Sequence, residues 1–199
     1  MNVTARTALH LIPDLLKTHP VFLCIDDTMV AKFGTKFENA SKLFDHAAHN
    51  GSNYLNGHCF VSLMLCVPVW KHNKISYLAV PLGYRMWQKK ESKLQLAASM
   101  VRQVMPEFSQ KKNVIILCDG WYMKKNLVSI VDEYPNLDLI GNARLDSVIY
   151  DLVPAPTGKK GRPAKHGQRL SIDEDFVLSD EKIGDYYTGV RRVLTNLFG

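Results

Sequence analysis

No apolar run approaches the roughly 18 residues that a membrane-spanning helix requires. The N-terminus also lacks the charged-then-apolar order of a secretory leader, because Met1 to Thr18 is amphipathic at most. A cytoplasmic protein is therefore expected. Cysteine is scarce as well: Cys24, Cys59, Cys66 and Cys118 all sit in or beside apolar stretches, and none forms a Cys-x-x-Cys pair. They read as reduced core residues. His46, His49 and His58 lack cysteine partners at finger spacing, which argues against a zinc set. There is no internal repeat.

What is present is enough apolar material for a sizeable core: 46% of 199 residues are hydrophobic, which suits one domain better than two. The net charge of +6 and a pI near 9.1 suit an anionic partner without naming one. Its distribution says more. Lys159, Lys160, Arg162, Lys165 and Arg169 fall within residues 157–170 with no acid among them, and Asp173, Glu174 and Asp175 follow directly. Such a run is ordinarily a solvated loop; as a functional element it would neutralise phosphates.

The most informative stretch is Asn113 to Tyr122. Val114 to Cys118 is five apolar residues, too short for a buried helix and suited to a strand covered on both faces. Asp119 ends it, Gly120 breaks it, and Leu127, Ile130, Val131 and Tyr134 then recur at helical spacing over residues 123–134. A carboxylate at such a strand-to-helix corner lies where open α/β sheets bind ligands. Val21 to Ile25 has the same form and runs into Asp26, Asp27 and Thr28. If the two strands are parallel neighbours, Asp26 or Asp27 comes within metal-bridging reach of Asp119. Aspartate ending a strand in a turn is the commoner use of that residue, so the pairing carries the functional reading.

In chain order, residues 4–17 predict a helix restarted near Pro13, followed by a strand over 21–26. Residues 32–57 predict a long polar loop with a short helix around Ala40 to Ala48. Cys59 to Trp70 and Ile75 to Tyr84 predict an antiparallel hairpin turning at His72 and Asn73. Residues 91–105 predict a helix through Leu94, Ala97, Ala98, Val101, Val104 and Met105, stopped by Pro106. Strands at 114–118 and 137–140 flank the helix at 123–134, and residues 147–153 and 188–198 predict two more. The order β-β-β-α-β-α-β is that of the ribonuclease H-like fold, an α/β mixed sheet of three antiparallel strands followed by an α-β-α-β half, in which the first and fourth strands are parallel neighbours.

Cys-Ile-Asp-Asp-Thr at 24–28, Leu-Cys-Asp-Gly-Trp-Tyr at 117–122, Ile-Gly-Asn-Ala-Arg-Leu-Asp at 140–146 and Gly-Arg-Pro-Ala-Lys-His-Gly at 161–167 together resemble the DDE transposases of bacterial insertion sequences, the IS4-like group. The resemblance implies metal-dependent cleavage and strand transfer on double-stranded DNA, at insertion-sequence ends and target, by a transposase that acts as a dimer. It implies two aspartates and a glutamate holding two Mg²⁺ or Mn²⁺ ions, with Asp119 as the second aspartate and Asp26 or Asp27 as the first. Hard divalent cations prefer such oxygen ligands, and two ions about 3.5–4 Å apart stabilise attacking and leaving oxygens together. It further implies that the basic loop contacts DNA, where Lys-Lys-Gly-Arg-Pro-Ala-Lys resembles an AT-hook with Arg162 as the inserted residue. Arg144, Arg191 and Arg192 are further phosphate candidates. Trp121 and Tyr122 read as core aromatics.

In that family the glutamate lies on a helix after a strand like 188–198, and Asp173, Glu174, Asp175, Asp180 and Glu181 precede that strand. The expectation is a transposase core incomplete at its C-terminus: residues 1–20 as a helical lead-in and 21–199 as a partial catalytic core, inactive alone. The alternatives are a DNA-binding or inhibitory fragment without catalysis, and a non-functional remnant.

Overall fold

Five apolar residues open strand β1 (Val21–Ala31), and every other strand of the main sheet pairs with it directly or through one neighbour. In the computed structural model, which describes residues 1–34, 36–45, 53–143, 146–155 and 164–195, the chain divides into two units, Met1–Asn142 and Ala143–Gly199. The first holds β1, β2 (Ser41–Phe44), β3 (Tyr54–Lys71), β4 (Lys74–Met86), β5 (Val114–Cys118) and β6 (Leu137–Gly141). β3 runs antiparallel to β1 on one edge and to β4 and β2 on the other. β5 runs parallel to β1, and β6 parallel to β5. This is the ribonuclease H-like mixed sheet, with β2 added inside the stretch 32–57 expected as a loop, where a short helix was expected around Ala40 to Ala48. Residues 46–48 lie outside the described set. Ser41–Phe44 is extended because Tyr54–Gly57 offers it a free edge of β3.

The β3–β4 turn follows from its two residues. His72 and Asn73 both have positive φ, 50° and 58°, as a two-residue hairpin turn of right-handed twist demands. Pro68 is tolerated in β3 because pairing with β1 ends at Cys66, and Pro81 sits on the edge strand beside a register shift at Leu63/Met64.

One face of the sheet is covered by helices. Val21, Leu23, Ile25, Val61, Leu63, Leu65, Val114 and Ile116 point into a core shared with α1 (Asn2–His10) and α2 (Lys93–Val104). α2 starts at a reciprocal cap, Ser92 Oγ accepting from Gln95 N while Gln95 Oε1 accepts from Ser92 N, and gives way to a 3₁₀ turn containing Pro106. Its expected apolar positions are all buried. β5 was expected to be covered on both faces, but only Val114 and Ile116 are fully buried, while Ile115, Leu117 and Cys118 are half-buried. The cause is that the described helical elements of this unit pack on one side.

Three other expectations are corrected. β1 does not stop at Asp26: residues 26–31 continue the strand because β3 supplies partners from Ser62 to Gly57. The helix at 123–134 is a single α turn, α3 (Lys125–Val128), followed by a 3₁₀ turn (Ser129–Glu133), since Ile130 and Val131 are β-branched and Pro135 disfavours helix before it. The strands expected at 147–153 and 188–198 shrink to β7 (Ile149–Tyr150) and β11 (Leu194–Thr195), residues 196–199 lying outside the described set. β7 pairs with both β11 and β8 (Arg169–Leu170). The second unit also holds a small hairpin, β9 (Lys182–Ile183) with β10 (Tyr186–Tyr187). No helix among the described residues is long and apolar enough to cross a membrane.

Candidate active site

The register between β1 and β5 runs from Val21↔Val114 to Ile25↔Cys118. One residue further, Asp26 and Asp119 stand opposite each other where β5 ends and β1 continues. Adjacent strands lie about 4.8 Å apart, and residues in register across a parallel pair share a face, so both aspartates occupy the face opposite the helices. Both are exposed. Asp119 Oδ1 accepts from the main-chain N of Trp121 and Tyr122 at 3.1 and 3.2 Å, which ties the carboxylate to the turn after the strand. Asp26 Oδ1 accepts from Asp27 N at 2.8 Å, and Ser62 Oγ donates to Asp26 O at 3.0 Å. Among the described residues, no hydrogen bond falls on either Oδ2.

Asp27 points the other way. Alternation along β1 places it on the core face beyond Ile25, where Lys93 Nζ lies 2.7 Å from its Oδ2. Tyr122 OH donates to its Oδ1 at 3.2 Å, and Cys59 Sγ to its Oδ2 at 3.3 Å. Burial, reinforced by the Asp27 charge, drives the Tyr122 phenol far above its ordinary range and the Cys59 thiol up to about 11, so both act as neutral donors. Burial alone would lower the Lys93 ammonium, but its bond and charge contact with Asp27 more than offset this, and its pKa rises. Lys93 Nζ also lies 5.2 Å from the ring centre of Trp121 and 5.8 Å from that of Trp87. Tyr122 thus touches both acids of interest: its N–H holds Asp119 on one side and its OH holds Asp27 on the other.

Tyr122 is a core residue as expected, 1% exposed, whereas Trp121 is 40% exposed. Lys93 was missed by sequence reasoning. Nothing in its neighbourhood marks it, because its partner is 66 residues away. Of the basic loop, Lys165 and Arg169 are exposed, and Lys159, Lys160 and Arg162 lie outside the described residues, as do Arg144, His46 and His49. Arg191 is engaged within the second unit, its Nη2 on Asp151 Oδ2 and its Nη1 on Asp175 O, both at 2.7 Å.

The donor set suits a hard divalent cation in kind, being exposed carboxylate oxygens on a shared face. In number it is short, since no group of three His, Cys, Asp or Glu side chains able to hold a metal occurs among the described residues.

The model of the DDE superfamily endonuclease family matches residues 2–183, and the chain belongs to that family. No curated protein matches it.

Proposed function

We propose that the chain is a catalytic region of an insertion-sequence transposase, of the IS4-like group, which acts in the cytoplasm on double-stranded DNA by metal-dependent strand cleavage and transfer. The single observation that carries this reading is the placement of Asp26 and Asp119 on one exposed face, one residue past the last register pair of β1 and β5. Asp26 and Asp119 are the residues that would hold Mg²⁺ or Mn²⁺ through their exposed carboxylates. Two such ions, when bound, would activate a water or 3′-hydroxyl and stabilise the charge on the phosphodiester oxygens.

The rest of the assignment concerns this chain's own side chains. Asp26 rather than Asp27 is the first ligand, because Asp27 is committed to Lys93 and Tyr122 on the core face. Asp27 instead braces the corner from behind. Lys165 and Arg169, with Lys159, Lys160 and Arg162, are assigned to DNA phosphates. With two acids brought together among the described residues where the family uses three, the chain by itself binds metal weakly and does not cut DNA. The same shortage favours a second reading, a DNA-binding or inhibitory partner of a complete transposase.

The test is Mn²⁺ binding to the purified chain by titration calorimetry. Asp26→Asn and Asp119→Asn should each weaken binding at least tenfold, and Asp27→Asn should leave it within about twofold, since a ligand carboxylate contributes more than about 1.4 kcal/mol to a hard-cation site. Equal effects at 26 and 27 would remove the face assignment. Efficient Mn²⁺-dependent DNA cleavage that is lost in Asp119→Ala would overturn the claim of inactivity.

A further inference from the structure

The face that carries Asp26 and Asp119 does not end with them. Beyond Asp26, alternation keeps Thr28, Val30 and then Lys32 on the same side, and Lys32 N bonds to Asn56 O at 2.8 Å. Across β3 and β2 the registers Lys42↔Asn56 and Phe44↔Tyr54 put those four side chains on that side too. At about 3.3 Å per residue, Lys32 lies about 20 Å along the strand from Asp26. Here the surface changes character. Lys42 Nζ sits 4.4 Å from the centre of the Tyr54 ring, Tyr54 meets Phe44 edge to face at 5.2 Å, and Lys32 Nζ lies 5.4 Å from the centre of Phe37. A cleft of 820 Å³ opens beside them, lined by Lys32, Phe33, Phe37 and Tyr54 among others. All these rings are substantially exposed: Phe33 91%, Tyr54 51%, Phe37 45% and Phe44 43%. The acids of the segment, Glu38 and Asp45, are outnumbered by Lys32, Lys36 and Lys42.

We propose that this lysine–aromatic platform binds unpaired nucleotides of the DNA strand that leads away from the carboxylate pair. Duplex DNA hides its base faces, so rings presented on an open sheet face fit a single strand. Aromatic side chains stack on any base, while the lysines neutralise the backbone. Continuity with the face that holds Asp26 and Asp119 supplies the polarity, the cut at one end and the grip at the other. The proposal rests on the transposase reading for its substrate and adds to it a site remote from the chemistry.

The experiment measures fluorescence anisotropy of the full chain with a labelled thymidine oligonucleotide of about 12 nucleotides, an abasic oligonucleotide of equal length and the corresponding duplex, all in EDTA. The chain should prefer the thymidine strand to the duplex. Lys32→Gln with Lys42→Gln should flatten the slope of log affinity against log salt by about 1.4 for two phosphate contacts on a single strand. Tyr54→Leu should weaken thymidine binding about tenfold and abasic binding little, and Tyr54→Phe should restore it. A preference for duplex, an unchanged salt slope, or equal losses on thymidine and abasic strands would each overturn the platform; so would loss of binding matched by self-association of the chain through these rings. Lys42 and Tyr54 are exposed and Lys32 is half-buried, and the lysine pair decides the matter even where a Tyr54 variant folds poorly. Because EDTA removes metal, a failure of Asp119→Asn to affect Mn²⁺ binding would count against the carboxylate reading alone.

Discussion

Replacing Lys93 by Met should destabilise the first unit by about 2–3 kcal/mol. Removing one partner of a fully buried ion pair costs about 3–5 kcal/mol. The side chains of Lys93 and Asp27 keep 19% and 18% of their exposure, and Asp27 retains bonds from Tyr122 and Cys59, so the cost falls at or below the bottom of that range. The Asp27→Asn change should cost less, because an amide oxygen still accepts from Lys93. In the double variant the two losses should fall short of additivity by at least 1 kcal/mol, the signature of direct coupling. Urea unfolding followed by tryptophan fluorescence suits the measurement, since Trp87 and Trp121 both lie within 6 Å of the Lys93 ammonium. A Lys93→Met cost below about 0.5 kcal/mol, of the size seen for exposed pairs, would refute the claim that this pair braces the corner. So would an additive cycle.

Stability should also fall as pH rises from about 9 towards 11. Burial lifts the thiols of Cys59 and Cys118 to about 11 and that of Cys24 to about 12, the latter helped by Cys66 3.6 Å away. The folded state therefore holds protons that the unfolded chain releases at lower pH, and the stabilisation is complete below the unfolded thiol pKa and is lost as pH rises from there through the folded values. A thermal midpoint that stays level between pH 8 and 10.5 would contradict this. Gly57→Ala should cost about 1–3 kcal/mol, because a Cβ there would collide with the Val30 carbonyl oxygen at the point where β3 pairs with Ala31 on one side and Ser41 on the other. Urea midpoints of the two chains measure it, and an unchanged midpoint would show that the junction can open.

Much of the first unit was legible where local pattern and tertiary demand agree. The apolar periodicity of 91–105, the short run at 114–118 and the turn residues His72 and Asn73 each specify their structure without help from afar. Residues 27–31 and 41–44 were not legible as strand, because Asp27 and Ser41 have turn-like chemistry and both segments are extended through the edges that β3 presents. The candidate site divides the same way. Asp26 and Asp119 could be paired from two acid-ended runs, whereas the choice between Asp26 and Asp27 needed the register, since neighbours in a strand face opposite ways. The support from Lys93 joins residues 27 and 93, and no spacing rule reaches that far.

The overrun of β1 past the end of β5 makes the two carboxylates mechanically unequal. Asp26 belongs to a strand that continues for five more residues against β3, so its position is fixed with the stiffness of the sheet. Asp119 stands on the first turn after a strand and is steadied by two main-chain N–H groups. In the proposed metal site, any adjustment of the distance between them would be taken up on the Asp119 side. On that proposal the pair would work as an anchor and a movable jaw, with Tyr122, bonded to Asp119 through its N–H and to Asp27 through its OH, limiting how far the jaw can travel.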